Sequence, residues 1–565
     1  MVAVIDSSRA FCLIRTYRMK ALAALLLLLC PEIIEGATQS QKAAVVPKWT
    51  RFEQIFKSSV SYSNALQQAS LRVTFTSPTG KSSQVDGFWD GGKTWKVRFA
   101  PQEVGRWSFQ TSCSDAANRG LHSQKGSFIC TALIAGTVFE RHGPIRIARD
   151  HRRFEFADGT PFFWLADSCW NGLRVAKAKD FADYAAIRSS QKFSVVQWSL
   201  ALRPDESGER PWTGTEQVSI RPEVFQRLDN RIEMLSRMGL ESAIAPLDEL
   251  NLQLNSDGTS PDLEKQLPDD QAALLIRYAV ARWGAEPVAW LLMFEGDGKG
   301  RQANRWKKIG QAVFGSAPHA PVILYTGDTP WLLNEFRDQP WVDAFAYQTL
   351  TDSSDDAIKW LISGPLSTEW QNTPFRPVIA FTPAENAPSG TRNKRFSADD
   401  VRHAAWWSLL LSSPAGLSYS AHGVLNWDER LDSPGKASAG NFPLWHRALF
   451  MPAAKQMGHL SRFVSGTEFW KLEPRPEYLA TQPGNVSPKD FVAAAGTPNK
   501  GLTLAYTAQE RTLDIALAAL PDAPTITWFN PRTGETAAAV AVIGASCQLP
   551  TPDPGDWLLI MKAGR

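Results

Sequence analysis

Several of the short apolar runs in this chain end in carboxyl groups, and these are the residues best suited to chemistry. The run Trp290-Leu-Leu-Met-Phe leads directly into Glu295, where desolvation would favour a protonated carboxyl near neutrality. Such a group can give a proton to a leaving oxygen, so Glu295 is the expected acid/base. The competing roles are an ion pair with Lys299 or Arg301, or a cap on the helix that follows. Other runs end in Asp167, in Asp248 and Glu249, and in the segment Thr382 to Glu385. Beside them stand neutral amides, indoles and an imidazole: Gln197, Gln348, Trp170, Trp427 and His422. Cleavage of a glycosidic bond uses two carboxyl groups, one protonating the leaving oxygen and the other attacking or activating water. Amides and Asp167 would hold hydroxyl groups, and Trp170 or Trp427 would stack beneath a ring. Sugar chemistry fits this inventory. The His, Cys and acidic residues show no metal-ligand spacing, no serine has the setting of a nucleophile elbow, and Gly296-Asp-Gly-Lys-Gly lacks the phosphate-loop spacing. No cofactor or metal is expected.

These groups need a scaffold that brings the ends of many strands together. Short apolar runs occur at Phe162–Ala166, Ser194–Ser199, Ser242–Pro246, Val288–Phe294, Pro321–Tyr325, Ala344–Tyr347, Pro377–Phe381 and Gly416–Tyr419. Amphipathic stretches lie between them, the clearest at Arg221–Met238, Pro268–Trp283, Arg301–Phe314 and Ser397–Leu411, the last with Ser397 as its N-cap. Eight strand-helix units predict a closed (β/α)8 TIM barrel, whose reacting groups lie at the C-terminal ends of the strands. A doubly wound sheet would need a glycine-rich turn after its first strand, and Asp167-Ser-Cys-Trp is not one.

Residues 45–135 alternate short polar-apolar strands with Gly, Pro and Asp turns, and residues 468–565 do the same, so a β-sandwich is expected on each side of a barrel spanning 140–465. The chain has 565 residues, 60 Lys and Arg against 57 Asp and Glu, and a net charge of +3. That balance provides no broad basic surface, and nucleic acid is not expected as a partner. At the N-terminus Arg15, Arg18 and Lys20 precede the apolar run Ala21 to Cys30. This pattern predicts a signal peptide over residues 1–37 and a secreted or periplasmic protein, with no membrane association after cleavage. The apolar run is shorter than the roughly 20 residues that span a bilayer. Cys113 and Cys130 are expected either to pair or to remain buried thiols.

Several blocks together resemble the apiosidase-like glycoside hydrolases. They are Pro161-Phe-Phe-Trp-Leu-Ala-Asp-Ser-Cys-Trp170, Phe193-Ser-Val-Val-Gln, Pro287-Val-Ala-Trp-Leu-Leu-Met-Phe-Glu, Arg376-Pro-Val-Ile, Val401-Arg-His-Ala-Ala-Trp-Trp and Gly416-Leu-Ser-Tyr-Ser-Ala-His-Gly-Val. The segments Val85-Asp-Gly-Phe-Trp-Asp-Gly-Gly and Trp528-Phe-Asn-Pro-Arg-Thr-Gly-Glu look like the immunoglobulin-like and collagen-binding-type sandwiches that flank such barrels. The resemblance implies a hydrolase acting on polysaccharide side chains, with an acid/base after the fourth strand and a nucleophile after the seventh. Glu295 matches the first position. At the second the family has Gly-Glu-Pro, whereas this chain reads Phe381-Thr382-Pro383, so Thr382 stands where a glutamate is expected. A threonine without a neighbouring base is a poor nucleophile. Glu385, three residues on, is the first candidate to replace it, with Asp248 or Asp167 activating water as the alternative; the remaining possibility is a barrel that binds sugar without turning it over.

Overall fold

The computed structural model describes residues 43–201, 204–247, 267–294, 300–316, 318–326, 333–389, 394–412, 415–429 and 443–564. Eight parallel strands close into a barrel: β1 (Trp164–Ser168), β2 (Val195–Ser199), β3 (Glu241–Ala245), β4 (Val288–Phe294), β5 (Val322–Thr326), β6 (Ala344–Gln348), β7 (Val378–Phe381) and β8 (Gly416–Tyr419). Each pairs with the next in sequence, and β8 returns to β1 with Trp164 opposite Gly416. The strands read as nearly unbroken apolar runs because both of their faces are buried. Trp164, Ala166, Val195, Ala243, Leu291, Met293, Ile323, Ile379 and Phe381 pack together in the lumen. Their neighbours Leu165, Val196, Ile244, Trp290, Leu292, Leu324, Val378 and Leu417 pack outward against the helices. Alternation of small and large residues fills the lumen, since several alanines stand beside Trp164, Leu291 and Phe381. Gly416 has a specific reason: a Cβ there would lie 2.3 Å from the carbonyl oxygen of Trp164, so only glycine lets β8 close against β1.

The first strand differs from the sequence expectation. Pro161–Phe162 pairs antiparallel with Phe154–Phe156, which pairs with Ile145–Ile147. This small sheet plugs the N-terminal end of the barrel, where Phe154 lies 5.3 Å from Trp164. The barrel strand therefore starts two residues later than expected and runs on to Ser168. The expected helices appear as Pro222–Arg237, with proline in its first turn, Asp269–Trp283, Gly300–Phe314 and Ala398–Leu411. Ser397 caps the last of these, accepting from the Asp400 amide while the Asp400 side chain accepts in return.

A β-sandwich lies on each side. In the first, strands from residues 44 to 131 enclose an aromatic core, with Phe52 stacked 4.1 Å from Phe128 and Phe75 4.2 Å from Phe99. In the last, a six-stranded and a three-stranded sheet pack through Trp528, Trp557, Leu513 and Leu549. Cys113 and Cys130 are separate buried thiols. Cys130 pairs with Gly105 at one end of the strand Gly105–Cys113, and Cys113 occupies the other. Eight residues of extended chain, about 27 Å at 3.4 Å each, separate those ends.

The seams between barrel and sandwiches are built differently. Asp229 on Pro222–Arg237 accepts from Arg98 of the first sandwich and from Arg282, each at 2.7 Å. Burial pushes the Asp229 carboxyl up, but the two guanidinium groups overcome this and hold it at about 2. At the other seam Arg402 on Ala398–Leu411 makes a two-pronged pair with Asp556, both contacts 2.7 Å, and Trp406 stacks on Tyr506. Among the described residues no helix is long and apolar enough to cross a membrane.

Candidate active site at the barrel mouth

The mouth is formed by the C-terminal ends of the eight strands and the loops that follow. On its lumen side, Ser168 from β1 and Ser418 from β8 donate to the Gln197 side-chain oxygen at 2.9 and 2.6 Å. The two hydroxyls lie 3.2 Å apart. Gln197 reaches across β1 to make these contacts, and its amide nitrogen is buried without a partner among the described residues. Opposite, Tyr325 donates to Gln348 at 3.2 Å and stacks 4.2 Å from Phe381. Gln348 is half-buried and donates in turn to the Leu350 carbonyl at 3.3 Å. Trp170 belongs to the lumen cluster and is buried. The described lumen wall thus offers amides, hydroxyls and aromatic rings, a set that donates and accepts without net charge.

The expected carboxylates take other positions. Asp167 lies within β1 rather than after it, and alternation turns it outward, between Ala166 and Ser168, which face the lumen. There it accepts from Tyr184 and Arg188 of the helix Ala178–Ser190, each at 2.7 Å, with Asp167 and Arg188 fully buried. Burial opposes charge on Arg188, and Asp167 beside it more than restores that charge, raising its pKa. Burial and the Asp167 charge likewise push the Tyr184 hydroxyl well up. Asp167 is a wall-to-helix tie and does not hold substrate hydroxyls from this position.

Glu385 also turns outward. Its carboxylate accepts from the Tyr419 hydroxyl at 2.7 Å and from the Ala453 amide at 3.2 Å, in the first turn of the helix Pro452–Ser465. Tyr419 itself packs in the barrel-helix layer. Burial raises the Glu385 pKa, while these two hydrogen bonds pull the other way. The loop carries the carboxylate not toward the lumen, as a replacement nucleophile would require, but toward the helix end, whose free amides attract it. Thr382 is buried, and its amide and hydroxyl both donate to the Ser418 carbonyl, at 2.9 and 3.0 Å.

In the loop after β8, His422 stands 3.7 Å from Asp428, which sequence reasoning had passed over. Trp427 is no open platform: Trp445 covers one face at 4.3 Å and Tyr184 meets it edge-on. Glu295 and Asp248 lie outside the described residues, as do Glu249, Asp297 and Lys299. A second carboxyl that the sequence did not single out is Glu241, at the lower end of β3. It is fully buried, neither oxygen has a partner among the described residues, and desolvation pushes its pKa well up. An acid opening an apolar run, at the same strand parity as Ala243 and Ala245, was the available signal. In the loop after β2, a groove of about 540 Å3 is lined by Trp212, Arg210, Arg221 and Thr213. Among the described residues no group of three His, Cys, Asp or Glu is arranged to hold a metal ion.

Three sequence profiles match the chain. Residues 148–471 match "Apiosidase-like, catalytic domain", residues 45–114 match a domain of unknown function, DUF5060, and residues 482–562 match "Putative collagen-binding domain of a collagenase". No match is found among curated proteins. Solved structures with the same fold include one described as a "putative glycoside hydrolase" from Bacteroides vulgatus, at TM-score 0.66 and 17% identity, covering 92% of this chain and 99% of that one. A second, described only as a glycoside hydrolase, has TM-score 0.62 at 17% identity over 76% of this chain and 99% of its own. A third, a glycoside hydrolase family 5 protein from the same bacterium, has TM-score 0.63 at 16% identity, with 76% and 95% covered. At such identities the likeness is one of fold.

Proposed function

Because this chain belongs to the apiosidase-like family, matched over residues 148–471, we propose that it is a secreted or periplasmic glycoside hydrolase acting on a terminal or branch sugar of a complex polysaccharide. The observation that carries the saccharide reading is the neutral polar cluster of Ser168, Gln197 and Ser418 at the barrel mouth, with a buried amide donor left over. A sugar hydroxyl is the kind of acceptor such a donor suits, and the half-buried Gln348 provides a second amide across the lumen. Export is supported by the basic residues and apolar run between Arg15 and Cys30.

In this reading Glu295 protonates the leaving oxygen. Support comes from its place directly after β4, where Leu291 and Met293, at the same strand parity, face the lumen. Asp167 and Glu385 are engaged in the outer layer, so the second carboxyl role passes to Asp248, after β3, which would activate water in an inverting arrangement. The test is turnover of branched oligosaccharides, apiose-bearing pectin fragments among them, by the mature protein. Glu295→Gln is expected to lower kcat by about 10²- to 10⁴-fold while oligosaccharide binding persists. Undiminished turnover refutes the assigned acid. A second reading, a sugar-binding protein on a hydrolase barrel, is favoured by Thr382, whose hydroxyl is engaged by the Ser418 carbonyl at the family's nucleophile position. It predicts glycan binding with no turnover by the unmodified chain.

A further inference from the structure

The plugged end of the barrel carries a second groove, of about 470 Å3, where the floor sheet meets the last sandwich. Three chain segments build it. Asp150 and Arg152 come from the turn between Ile145–Ile147 and Phe154–Phe156. Trp470 and Glu473 come from the connection into the sandwich, and Pro498 with Asn499 from the turn between Val492–Gly496 and Leu502–Thr507.

Its polar groups are already oriented and charge-balanced. Arg152 donates to the Trp370 carbonyl at 2.5 Å and lies 3.8 Å from the centre of the Phe375 ring. Asp150 pairs with Arg153, and Glu473 accepts from Arg475 at 2.6 Å. Asn499, on an exposed turn, accepts from the Gly501 amide at 3.1 Å through its oxygen, so that bond leaves the NH2 group uncommitted. Trp470 is half-buried, packed edge-on against Phe469 at 5.5 Å. Lys471, the other cation of the lining, pairs with Glu468 at 2.5 Å, so an anion would find both cations already beside a carboxylate or a carbonyl, and a purely apolar ligand would strand the polar rim. An uncharged ring with hydroxyls on its edge and C–H groups on its face suits both features, and the volume lies within the range of small-molecule sites.

We propose that this groove is a second, non-catalytic binding site for a neutral saccharide, with Trp470 as its stacking surface and Asn499, Asp150 and Glu473 meeting the hydroxyls. The inference rests on the carbohydrate reading of the mouth only for its ligand class. The groove lies at the N-terminal end of the barrel and the mouth at the other, so a polysaccharide can be held here while the mouth stays free. Two weak sites on one polymer chain raise overall retention without any new contact at either.

The test is electrophoresis of the full mature chain through gels containing soluble galactan, arabinan, xyloglucan or polygalacturonate. Retardation is expected in at least one neutral gel, with Trp470→Ala weakening the apparent affinity at least about fivefold. Asn499→Ala, on an exposed turn, is the second variant in case loss of the indole disturbs folding, and a two- to fivefold weakening is expected. Neither variant is expected to change hydrolysis of short oligosaccharides that occupy the mouth alone. No retardation in any neutral gel overturns the inference, as does retardation confined to polygalacturonate or unchanged by both variants. Measuring Glu295→Gln in the same gels separates the two proposals. Persistent retardation without turnover supports the groove whatever the mouth does, and retardation lost only in Glu295→Gln places the binding at the mouth and overturns the groove.

Discussion

The inner and outer surfaces of the same barrel strands carry opposite kinds of polar group. Inside the mouth stand neutral side chains: Ser168 and Ser418 bonded to Gln197, and across the lumen Gln348 bonded to Tyr325. Outside, between wall and helices, stand the ions: Asp167 with Arg188, and Glu385 at the start of the helix Pro452–Ser465. A buried charge is tolerated where a fixed partner or a helix end meets it, and the outer layer supplies both. The lumen keeps uncharged groups that pair with one another, and of these Gln348 is the half-buried one. Asp167 falls on the outer parity of β1, and the loop after β7 carries Glu385 into the same layer, so both carboxylates are structural although they lie close in sequence to the mouth.

The division can be broken at four points. The largest effect is expected from Arg188→Ala, which leaves Asp167 in the wall with the Tyr184 hydroxyl but without its guanidinium partner. A loss of about 3–5 kcal/mol is expected, read by urea unfolding, whereas a loss of turnover at unchanged stability would place Asp167 in the site. Next is Glu241→Gln. In the unfolded chain this carboxyl ionises near its ordinary value, while in the folded barrel burial keeps it protonated to a higher pH. Its stability contribution is thus complete below the unfolded pKa. As pH rises toward the folded value it falls by roughly 1.4 kcal/mol per unit. The glutamine variant is expected to match the native chain in Tm near pH 4 and to exceed it near pH 8. Parallel Tm curves would show that Glu241 is not held neutral.

Gln348→Ala is expected to raise KM for oligosaccharides about tenfold, the equivalent of roughly 1.4 kcal/mol, with little change in Tm. A variant with unaltered KM would remove this amide from the saccharide site. The smallest effect is expected from Glu385→Gln, which keeps one oxygen for the Ala453 amide and sets an NH2 group where it can donate to the Tyr419 oxygen. Stability should move by less than about 1 kcal/mol and turnover by less than twofold. A drop beyond tenfold would return Glu385 to the reacting groups.

Much of the scaffold was legible in advance. All eight barrel runs appear as strands, because a wall buried on both sides must be apolar throughout. Ser397 was legible as a cap for the same kind of local reason. The site was less legible. Trp427 has the type of a stacking residue, yet Trp445, eighteen positions later in the chain, covers it. Glu385 lies in the expected loop, but its partners Tyr419 and Ala453 come from elements that only folding brings near.

The order of apolar runs, the helices between them and the family blocks determined the architecture from sequence alone, since burial and periodicity are written residue by residue along the chain. The facing of each polar group belonged to the tertiary structure. Phe162 joins the floor sheet and β1 begins two residues later, so Asp167 lies inside the strand and the pleat turns it away from the lumen. A two-residue change in where a strand ends decides whether its final acid stands free in a loop or is locked into the wall, because successive side chains in a strand point to opposite faces.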